Sequence, residues 1–543
     1  MARNGMVVTP HYLASQAGVR VLQDGGNAVQ AAIAAAAVVA VVYPQSNSIG
    51  GDNFWLIYDA SSESVRALNA SGRAGSRATV DYYRSKGFDR IPPRGYAAAN
   101  TIPGAVSGWS EAFRYAAEQM PARGSDLSWK RLLESAIRYA GDGFPVSSHH
   151  ADRALIDFDP EDEEFGNLQR FEECRRIFCR ADGTPHRVGE ILVQSDLAAT
   201  LERIAERGAA EFYRGETARR IVDDLEAHDG LLTCDDFAQH TANWVDPISV
   251  DYRGLTAVNL PPNTQGMAAL ECLNILDHFD LRGVPEGSAD YYHLMAEVTK
   301  EAFADRDRWV TDPECLDVPL AKLLSHDYGR IQAERIRARA AASPNAATVS
   351  GGDTVWVGVV DKDGNAVSLI QSICDGFGSG VIPTGTGVVL QNRGKYFSLD
   401  PESPNRLLPR KRTFHTLIAG MLLDGGRPRL VYGTMGGEGQ PQTQTAMVTR
   451  IIDYGFSVQE AIEAPRWLQG RFLDVRQAPT QLHLEGRIPD AVVRELRHLG
   501  HKVSMTTDYS DLMGHAGAIA IDPSTAVLYG GADPRGDGAA IGF

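Results

Sequence analysis

The sequence predicts a mixed α/β protein with a helix-rich N-terminal part and a strand-rich C-terminal part. Amphipathic patterns of helical period dominate residues from about 100 to 345. From residue 354 onward, β-branched runs alternate with glycine-rich turns, as in strands and hairpins. At 543 residues, the chain is long enough for more than one ordinary domain or for one large α/β body.

Composition and charge narrow the classes of function. The 43% apolar and 22% charged residues indicate a soluble globular protein, and the net charge of −16 disfavours a nucleic-acid partner. Six cysteines in so long a chain do not suggest a disulfide framework, so we expect free thiols and a cytoplasmic location. Neither a metal nor a cofactor is expected. The apolar run 28–42 is short for a membrane span and is interpreted as a buried helix, so no membrane partner is expected.

Several segments have their own predictions. Residues 11–42 predict two helices separated at Gly25-Gly26, with Asn27 as the N-cap of the second. The acidic stretch 157–165 lacks the ligand spacing of a calcium loop, so we expect a solvated surface. Residues 338–353, rich in alanine, serine and asparagine near their start, have the composition of a linker.

The stretch from Ser350 to Asp361 contains the candidate for chemistry. A Ser-Gly-Gly-Asp segment leads into a β-rich run at Thr354, which turns at residues 362–365 and returns, predicting a hairpin. A hydroxyl residue at the start of a central strand, behind a loop that bends sharply, is what a self-cleaving N-terminal-nucleophile hydrolase requires. A freed N-terminal threonine would use its own α-amine as the base. The local pattern alone favours a simpler interpretation, in which Thr354 only opens a strand.

An ordered set of motifs changes that balance, because together they resemble the γ-glutamyltransferase family of N-terminal-nucleophile hydrolases. The motifs extend over nearly the whole chain and are Gly25-Gly26-Asn27-Ala28, Gly50-Gly51-Asp52, Pro103-Gly104-Ala105-Val106, Tyr213-Arg214-Gly215, Ala304-Asp305-Arg306, Asp353-Thr354, Val360-Asp361 with the turn up to Val367, Phe377-Gly378-Ser379-Gly380, Lys411-Arg412 and Gly436-Gly437.

The resemblance implies a four-layer αββα sandwich and a proenzyme that cuts itself between Asp353 and Thr354. Residues 1–353 would form a large subunit and residues 354–543 a small subunit, together one αββα body. Thr354 would be the nucleophile, and Ser372 matches a family threonine that supports it. Gly436 and Gly437 match the residues whose amides form the oxyanion hole, where glycine allows close approach of the backbone.

The chain departs from the family where the substrate is held. Cys374, Arg393 and Tyr396 replace the asparagine, glutamine and aspartate that hold the donor's α-amine in true γ-glutamyltransferases. An arginine there would repel an ammonium and leave it unpaired. His415 and Thr416 replace two family serines, and Arg73 is a shifted candidate for the arginine that holds the donor carboxylate.

These departures predict a small amide that bears a carboxylate and lacks an α-amine. Arg73, Arg393 and His415 are expected to face it without an obvious carboxylate to balance them. The motifs are similar to those of the oxamate amidohydrolase branch of the family and, more loosely, to cephalosporin acylases. Two alternatives stay open, in which Arg393 pairs with a structural carboxylate and His415 is a core histidine.

The predicted function is hydrolysis of a small amide by an autoprocessed enzyme through a Thr354 acyl-enzyme. The rival in the same family is a γ-glutamyl hydrolase or transpeptidase. The rival of another class is an unprocessed, non-catalytic binding protein. The large and small subunits would associate with each other, and a dimer of heterodimers is left open.

Overall fold

The computed structural model describes residues 1–120, 127–162, 167–337, 348–349, 353–472 and 481–543. Within these residues the strands are β1 (Gly5–Thr9), β2 (Asp52–Asp59), β3 (Ser64–Ala70), β4 (Phe144–Pro145), β5 (Ile191–Leu192), β6 (Asn243–Val245), β7 (Ile248–Tyr252), β8 (Leu255–Asn259), β9 (Thr348–Val349), β10 (Asp353–Asp361), β11 (Ala366–Cys374), β12 (Gly420–Asp424), β13 (Arg427–Thr434), β14 (Trp467–Phe472), β15 (Gln481–Leu484), β16 (Val503–Met505), β17 (Ala516–Ile521), β18 (Leu528–Ala532) and β19 (Ala539–Gly542).

The helices in the same ranges are α1 (Tyr12–Gln23), α2 (Ala28–Val42), α3 (Val80–Ser85), α4 (Ala105–Gln119), α5 (Trp129–Asp142), α6 (Ser148–Asp157), α7 (Glu172–Phe178), α8 (Ser195–Arg207), α9 (Ala210–Arg214), α10 (Glu216–Ala227), α11 (Cys234–Gln239), α12 (Gly266–Leu276), α13 (Ala289–Trp309), α14 (Leu320–Leu323), α15 (His326–Arg337), α16 (Gln440–Ile452), α17 (Val458–Glu463) and α18 (Asp490–His498).

Two large antiparallel sheets form the centre of the described structure. The first has the strand order β19-β1-β10-β11-β2-β3-β6, and the second has the order β18-β17-β13-β12-β8-β7. Strands β10 and β11 lie inside the first sheet, where every residue of both strands is buried. A strand with both faces covered is apolar on both faces, which explains the nearly continuous apolar run from Val355 to Val360.

Three apolar clusters define four layers. Val355, Val357 and Val359 pack on the side of the first sheet covered by α1 and α2. Trp356 and Val360 point the other way and pack between the two sheets. A further cluster joins the outer face of the second sheet to α12, α13 and α16. This alternation along β10 shows the expected αββα sandwich.

The sheet interface closes around Trp356. A Cβ atom on Gly433 or Gly517 would lie 2.1 or 2.7 Å from its indole ring, so the second sheet has no side chain at either position. The indole Nε1 donates to the Ser368 hydroxyl over 2.9 Å. This packing fixes β10 against β13 and β17, directly beyond Thr354.

The hairpin predicted around residues 362–365 is confirmed and is anchored to the helix layer. One Asp361 carboxylate oxygen accepts the amides of Asp363 and Asn365, each over 3.0 Å, and the other accepts the Ala28 amide over 2.9 Å. Asn27 caps α2 in a capping box with Gln30, as predicted for this N-cap. The hairpin that carries Thr354 is therefore tied to the N-terminus of a fully buried helix.

The other segment predictions have mixed outcomes. Asp157, predicted in a solvated acidic surface, ends α6 and is 2% exposed, so that prediction was wrong for this residue. Most of the predicted linker 338–353 lies outside the described residues. The described helices include none with the length and apolar content of a membrane span. All six cysteines are free.

Candidate active site

Thr354 lies one residue inside β10, at an irregularity in the hairpin. Asp353 pairs with Cys374 and Val355 with Gln371, so Ser372 and Ile373 together lie opposite Thr354. The threonine side chain is buried, with 1% exposure. Such a local break in pairing re-aims a side chain out of the regular pleat.

A short hydrogen-bond chain connects the Thr354 hydroxyl to the peptide bond before it. Thr354 Oγ1 donates to Ser372 Oγ over 3.2 Å, and Ser372 Oγ donates to the Asp353 carbonyl oxygen over 2.6 Å. The Cys374 amide donates to the same Ser372 oxygen over 2.8 Å. Ser372 thus polarises the carbonyl that Thr354 would attack and contacts the attacking hydroxyl.

A cavity of about 10 Å³ borders Thr354, between the ends of β1, β10 and β17. It is lined by Thr9, Trp356, His515 and Asp533, among others. This volume accommodates about one water molecule. A water at this place would be close to the nucleophile.

Gly436 and Gly437 follow β13 and both have positive φ, 114° and 54°. Among the described residues, neither amide donates to an acceptor. The Gln265 side chain fixes this turn by donating to the carbonyls of Gly437 over 2.9 Å and Thr416 over 2.8 Å. Two amides that find no acceptor in the described structure, on a turn held by Gln265, are suited to receive an oxyanion, the role that the resemblance implies.

Arg393 is 1% exposed and contacts hydroxyls at the site. Its Nη1 donates to Thr416 Oγ1 over 2.9 Å, and its Nη2 donates to Ser372 Oγ over 3.4 Å. Its Nε has no hydrogen-bond partner in the described part of the chain. The guanidinium also lies 5.4 Å from the centre of the Tyr396 ring. Arg393, Thr416 and Tyr396 are therefore brought together beside Ser372.

His415 contacts a carboxylate that the sequence interpretation did not assign to the site. Its Nε2 lies 3.2 Å from Asp52 Oδ2, and its Nδ1 accepts the Leu417 amide over 3.4 Å, which places the proton on Nε2. Burial and the charge of Arg393 hold the pKa of His415 well below its usual value. Burial raises the pKa of Asp52 to about 6, opposed by hydrogen bonds from Gln391 and Gly72 and by Arg393.

Arg73 lies outside this buried group, on a cleft of about 340 Å³. Its guanidinium contacts Glu314 at 2.5 Å and Asp312 at 3.4 Å. We expected Arg73, Arg393 and His415 to lack balancing carboxylates. That expectation was wrong for Arg73, which Glu314 and Asp312 balance, and for His415, which contacts Asp52.

Cys374 contributes its backbone to the described contacts more than its thiol. Its φ is 86°, and burial raises the pKa of the thiol to about 11. A thiol with so high a pKa remains protonated at neutral pH, so it is a poor nucleophile. The neighbouring Asp375 carboxylate pairs with Lys395 at 2.5 Å.

A second ion pair at the site was missed in the sequence. Arg153 Nη2 lies 3.1 Å from Asp353 Oδ2, and its Nε donates to Asp157 over 2.9 Å. Burial raises the pKa of Asp353 to about 7, with Arg153 opposing and Asp511 adding to the rise. The spacing of Arg153 and Asp157, four residues apart in a helical pattern, could have indicated a pair on one face.

Two groups of described side chains have ligand atoms close enough to hold a metal ion. They are His149 with Asp511 and His515, and His293 with Glu297 and His501. His515 lines the cavity at Thr354. In the first group, His149 Nε2 and His515 Nε2 each lie 2.8 Å from Asp511 Oδ1.

Comparisons with known proteins agree with this geometry. The model of the gamma-glutamyltranspeptidase family matches residues 14–543. The chain belongs to this family.

Two relatives are similar over nearly their whole length. The glutathione hydrolase-like YwrD proenzyme of Bacillus subtilis is 45% identical, with 99% of this chain and 98% of that protein covered. The oxamate amidohydrolase proenzyme of Klebsiella pneumoniae is 43% identical, with 100% of this chain and 99% of that protein covered. The crystal structure of cephalosporin acylase from Bacillus halodurans superposes with a TM-score of 0.89 at 38% identity, covering 100% of this chain and 96% of that one.

Family membership confirms the predicted fold class and the predicted class of enzyme. This γ-glutamyltranspeptidase family member is an N-terminal-nucleophile hydrolase that acts on amide bonds. That result favours an enzyme over the non-catalytic alternative. The matches to proenzymes also indicate processing into subunits.

Proposed function

We propose that this family member cuts itself between Asp353 and Thr354 and then hydrolyses a small amide that bears a carboxylate. The observation that carries the proposal is the chain from Thr354 Oγ1 through Ser372 Oγ to the Asp353 carbonyl. It aligns a nucleophile, a hydroxyl that contacts it, and a polarised carbonyl in one intact polypeptide.

Self-cleavage would proceed in two steps. Thr354 Oγ attacks the Asp353 carbonyl carbon, the peptide C–N bond breaks, and the hydroxyl proton moves to the Thr354 nitrogen. Water then hydrolyses the ester, leaving a carboxylate on Asp353 and restoring the Thr354 hydroxyl. The new α-amine has an ordinary pKa of about 7.7–8.0 and serves as a base at working pH.

Turnover would use the same atoms on an external amide. The Thr354 amine takes the hydroxyl proton as Oγ attacks, and the oxyanion is held at Gly436 and Gly437. The proton passes to the departing ammonia or amine, and water hydrolyses the acyl ester to the acid. Each oxyanion donor of this kind contributes about 3–4 kcal/mol to transition-state stabilisation.

Arg393 supports a substrate with a carboxylate and without an α-amine. It is a buried cation held by neutral hydroxyls, with an unpartnered Nε in the described structure. Burial of an ammonium beside it would be costly. Oxamate, a carboxylate joined to a primary amide, is our model substrate, and 43% identity to an oxamate amidohydrolase supports this choice.

A γ-glutamyl hydrolase or transpeptidase remains the second candidate, supported by 45% identity to a glutathione hydrolase-like proenzyme. A screen of short amides with and without a carboxylate, beside a chromogenic γ-glutamyl anilide, separates the two. We expect oxamate-like amides to be hydrolysed with the higher kcat/KM. Preferred use of the anilide, increased by a dipeptide acceptor, would establish the second candidate instead.

A further inference from the structure

The Asp353 side chain occupies a built carboxylate site in the intact chain. Its carboxylate is almost fully buried, and Oδ2 lies 3.1 Å from Arg153 Nη2. Arg153 is held from the other side, where its Nε donates to Asp157 Oδ2 over 2.9 Å. Asp157 is itself contacted by Arg94 at 3.2 Å. The contact with Asp157 therefore holds the Arg153 guanidinium in position independently of Asp353.

This ion pair lies at the reacting bond. Asp353 is the residue whose carbonyl Thr354 faces, and its strand partner is Cys374. Gly376, two residues further, has no side chain because a Cβ there would lie 2.1 Å from Asp157 and 2.9 Å from Arg153. The chain just after β11 therefore packs closely against the Arg153–Asp157 pair. Arg153 is 25% exposed, so solvent can reach its side.

Cleavage after Asp353 would change the charge at this place. The bond that breaks is the one between Asp353 and Thr354, so the Asp353 side chain would no longer be held at Arg153 through that bond. Arg153 would keep Asp157, which it shares with Arg94, and Nη2 would lose its nearest carboxylate. The Arg153 Nη2 would then keep only the longer contact of 3.5 Å to Asp157 Oδ1, and a partly buried guanidinium that loses one of two carboxylates favours another of similar position.

We infer that Arg153 is a receptor in the mature enzyme for a substrate carboxylate that lies two carbons from the acyl carbon, a position different from the one proposed for Arg393 beside Ser372, and that the Asp353 side chain occupies this receptor in the precursor. The inference rests on the proposed self-cleavage and names a substrate-binding residue for it. In both reactions the acyl carbon must lie next to Thr354 Oγ. The Asp353 carboxylate is two carbons from that acyl carbon, so an amide with the same spacing, such as succinamate, would place its carboxylate at Arg153.

The experiment uses intact chains, so it does not depend on processing. Propionate is titrated calorimetrically into three variants that lack the nucleophile, namely Thr354→Ala alone, Thr354→Ala with Asp353→Gly, and that double variant with Arg153→Gln. Glycine removes the Asp353 carboxylate and leaves space for an added one. We expect the double variant to bind propionate at least tenfold more tightly than Thr354→Ala, and Arg153→Gln to remove that gain.

Propionamide, of the same shape but uncharged, is the matched probe and should bind all three variants equally weakly. The inference is overturned if removal of Asp353 brings no gain in propionate affinity, or if the gain survives Arg153→Gln. Mature wild-type enzyme should bind propionate within threefold of the double variant, and absence of binding there would also overturn it. Failure of the wild-type chain to split, seen by mass spectrometry, would instead refute the proposed function and leave the intact-chain result standing.

Discussion

Arg73 and Arg393, both predicted to face the substrate, lie in different surroundings. Arg73 is 31% exposed on an open cleft and is neutralised by Glu314 and Asp312. Arg393 is buried and contacts the Ser372 and Thr416 hydroxyls. A guanidinium between two carboxylates has little capacity left for a third, whereas Arg393, whose hydrogen bonds go to neutral hydroxyls and on which the Asp52 charge acts without a direct contact in the described structure, has more capacity for a ligand. The two arginines are equally plausible substrate ligands in the sequence. In the structure they differ in their distance from the nucleophile and in whether their partners are charged.

The largest effect is expected when the Thr354 hydroxyl is removed, since the roles of both arginines are defined by their position relative to this nucleophile. Thr354→Ala should remain a single chain and show no amidase activity, because the attacking hydroxyl is gone. Thr354→Ser, which keeps a hydroxyl, should still split. Intact-mass measurement after long incubation tests both variants. If Thr354→Ala were found as two chains, Thr354 would not be the nucleophile of self-cleavage.

Ser372→Ala should slow self-cleavage by about 10²–10³-fold, the range for loss of one donor to a developing oxyanion. The serine donates to the Asp353 carbonyl, and alanine leaves that oxygen without this donor. The time course of chain splitting on a denaturing gel measures the rate. Ser372→Thr is the control and should split at a rate near wild type. An unchanged rate in Ser372→Ala would contradict the hydrogen-bond chain.

Arg393→Gln should lower kcat/KM for oxamate by about 10–150-fold, since a hydrogen bond to a charged group contributes about 1.5–3 kcal/mol. The loss for neutral oxamide should be smaller, because that substrate has no carboxylate to pair. Steady-state kinetics of the processed variant with both amides gives the ratio. Equal losses for the two substrates would show that Arg393 acts on the protein and not on the carboxylate.

A pH-dependent effect is expected at Asp353, the partner of a third arginine. Burial raises its pKa to about 7 in the folded intact chain, above the ordinary 3.8. The folded state therefore holds the proton more tightly than the unfolded state, and stability decreases as pH rises from about 4 to about 7. In the Thr354→Ala background, Asp353→Asn removes this loss.

The Tm of the Asp353→Asn variant relative to its Thr354→Ala parent should therefore be higher at pH 8 than at pH 5, by about 2 °C or more. Thermal unfolding at both pH values measures this difference. A difference that does not change with pH would mean that Asp353 remains ionised throughout and is fully compensated by Arg153.

The smallest effect is expected at Arg73. Arg73→Gln should change kcat/KM for oxamate by less than about fivefold, because exposed ion pairs contribute only about 0–1 kcal/mol. It is the matched counterpart of Arg393→Gln and is measured in the same assay. A loss as large as that of Arg393→Gln would reverse the comparison and place the substrate in the surface cleft.

The sequence could predict features that depend on neighbours along the chain. The hairpin at Thr354, the N-cap at Asn27 and the buried helix after it follow from turn residues, capping residues and apolar runs. The charge pairs could not be predicted in this way. Asp52 meets His415 across 363 positions, and Arg73 meets Glu314 across 241. Asp157 looked solvated within an acidic run; its spacing of four residues from Arg153 was the one local signal, and nothing local shows that Arg94 lies against it.

The position of Ser372 also bears on how the specificity of such an enzyme can change. Its hydroxyl contacts both the nucleophile and the carbonyl of the bond to be cut. Under the proposed cleavage, every molecule must complete one reaction on its own backbone before it meets a substrate. Variants that disturb Thr354 or Ser372 would therefore fail to cleave themselves, or cleave slowly, and would yield little active enzyme. Changes in substrate preference would then be limited to side chains such as Tyr396, which lie beside the site and, in the described structure, do not contact the Asp353–Thr354 peptide bond.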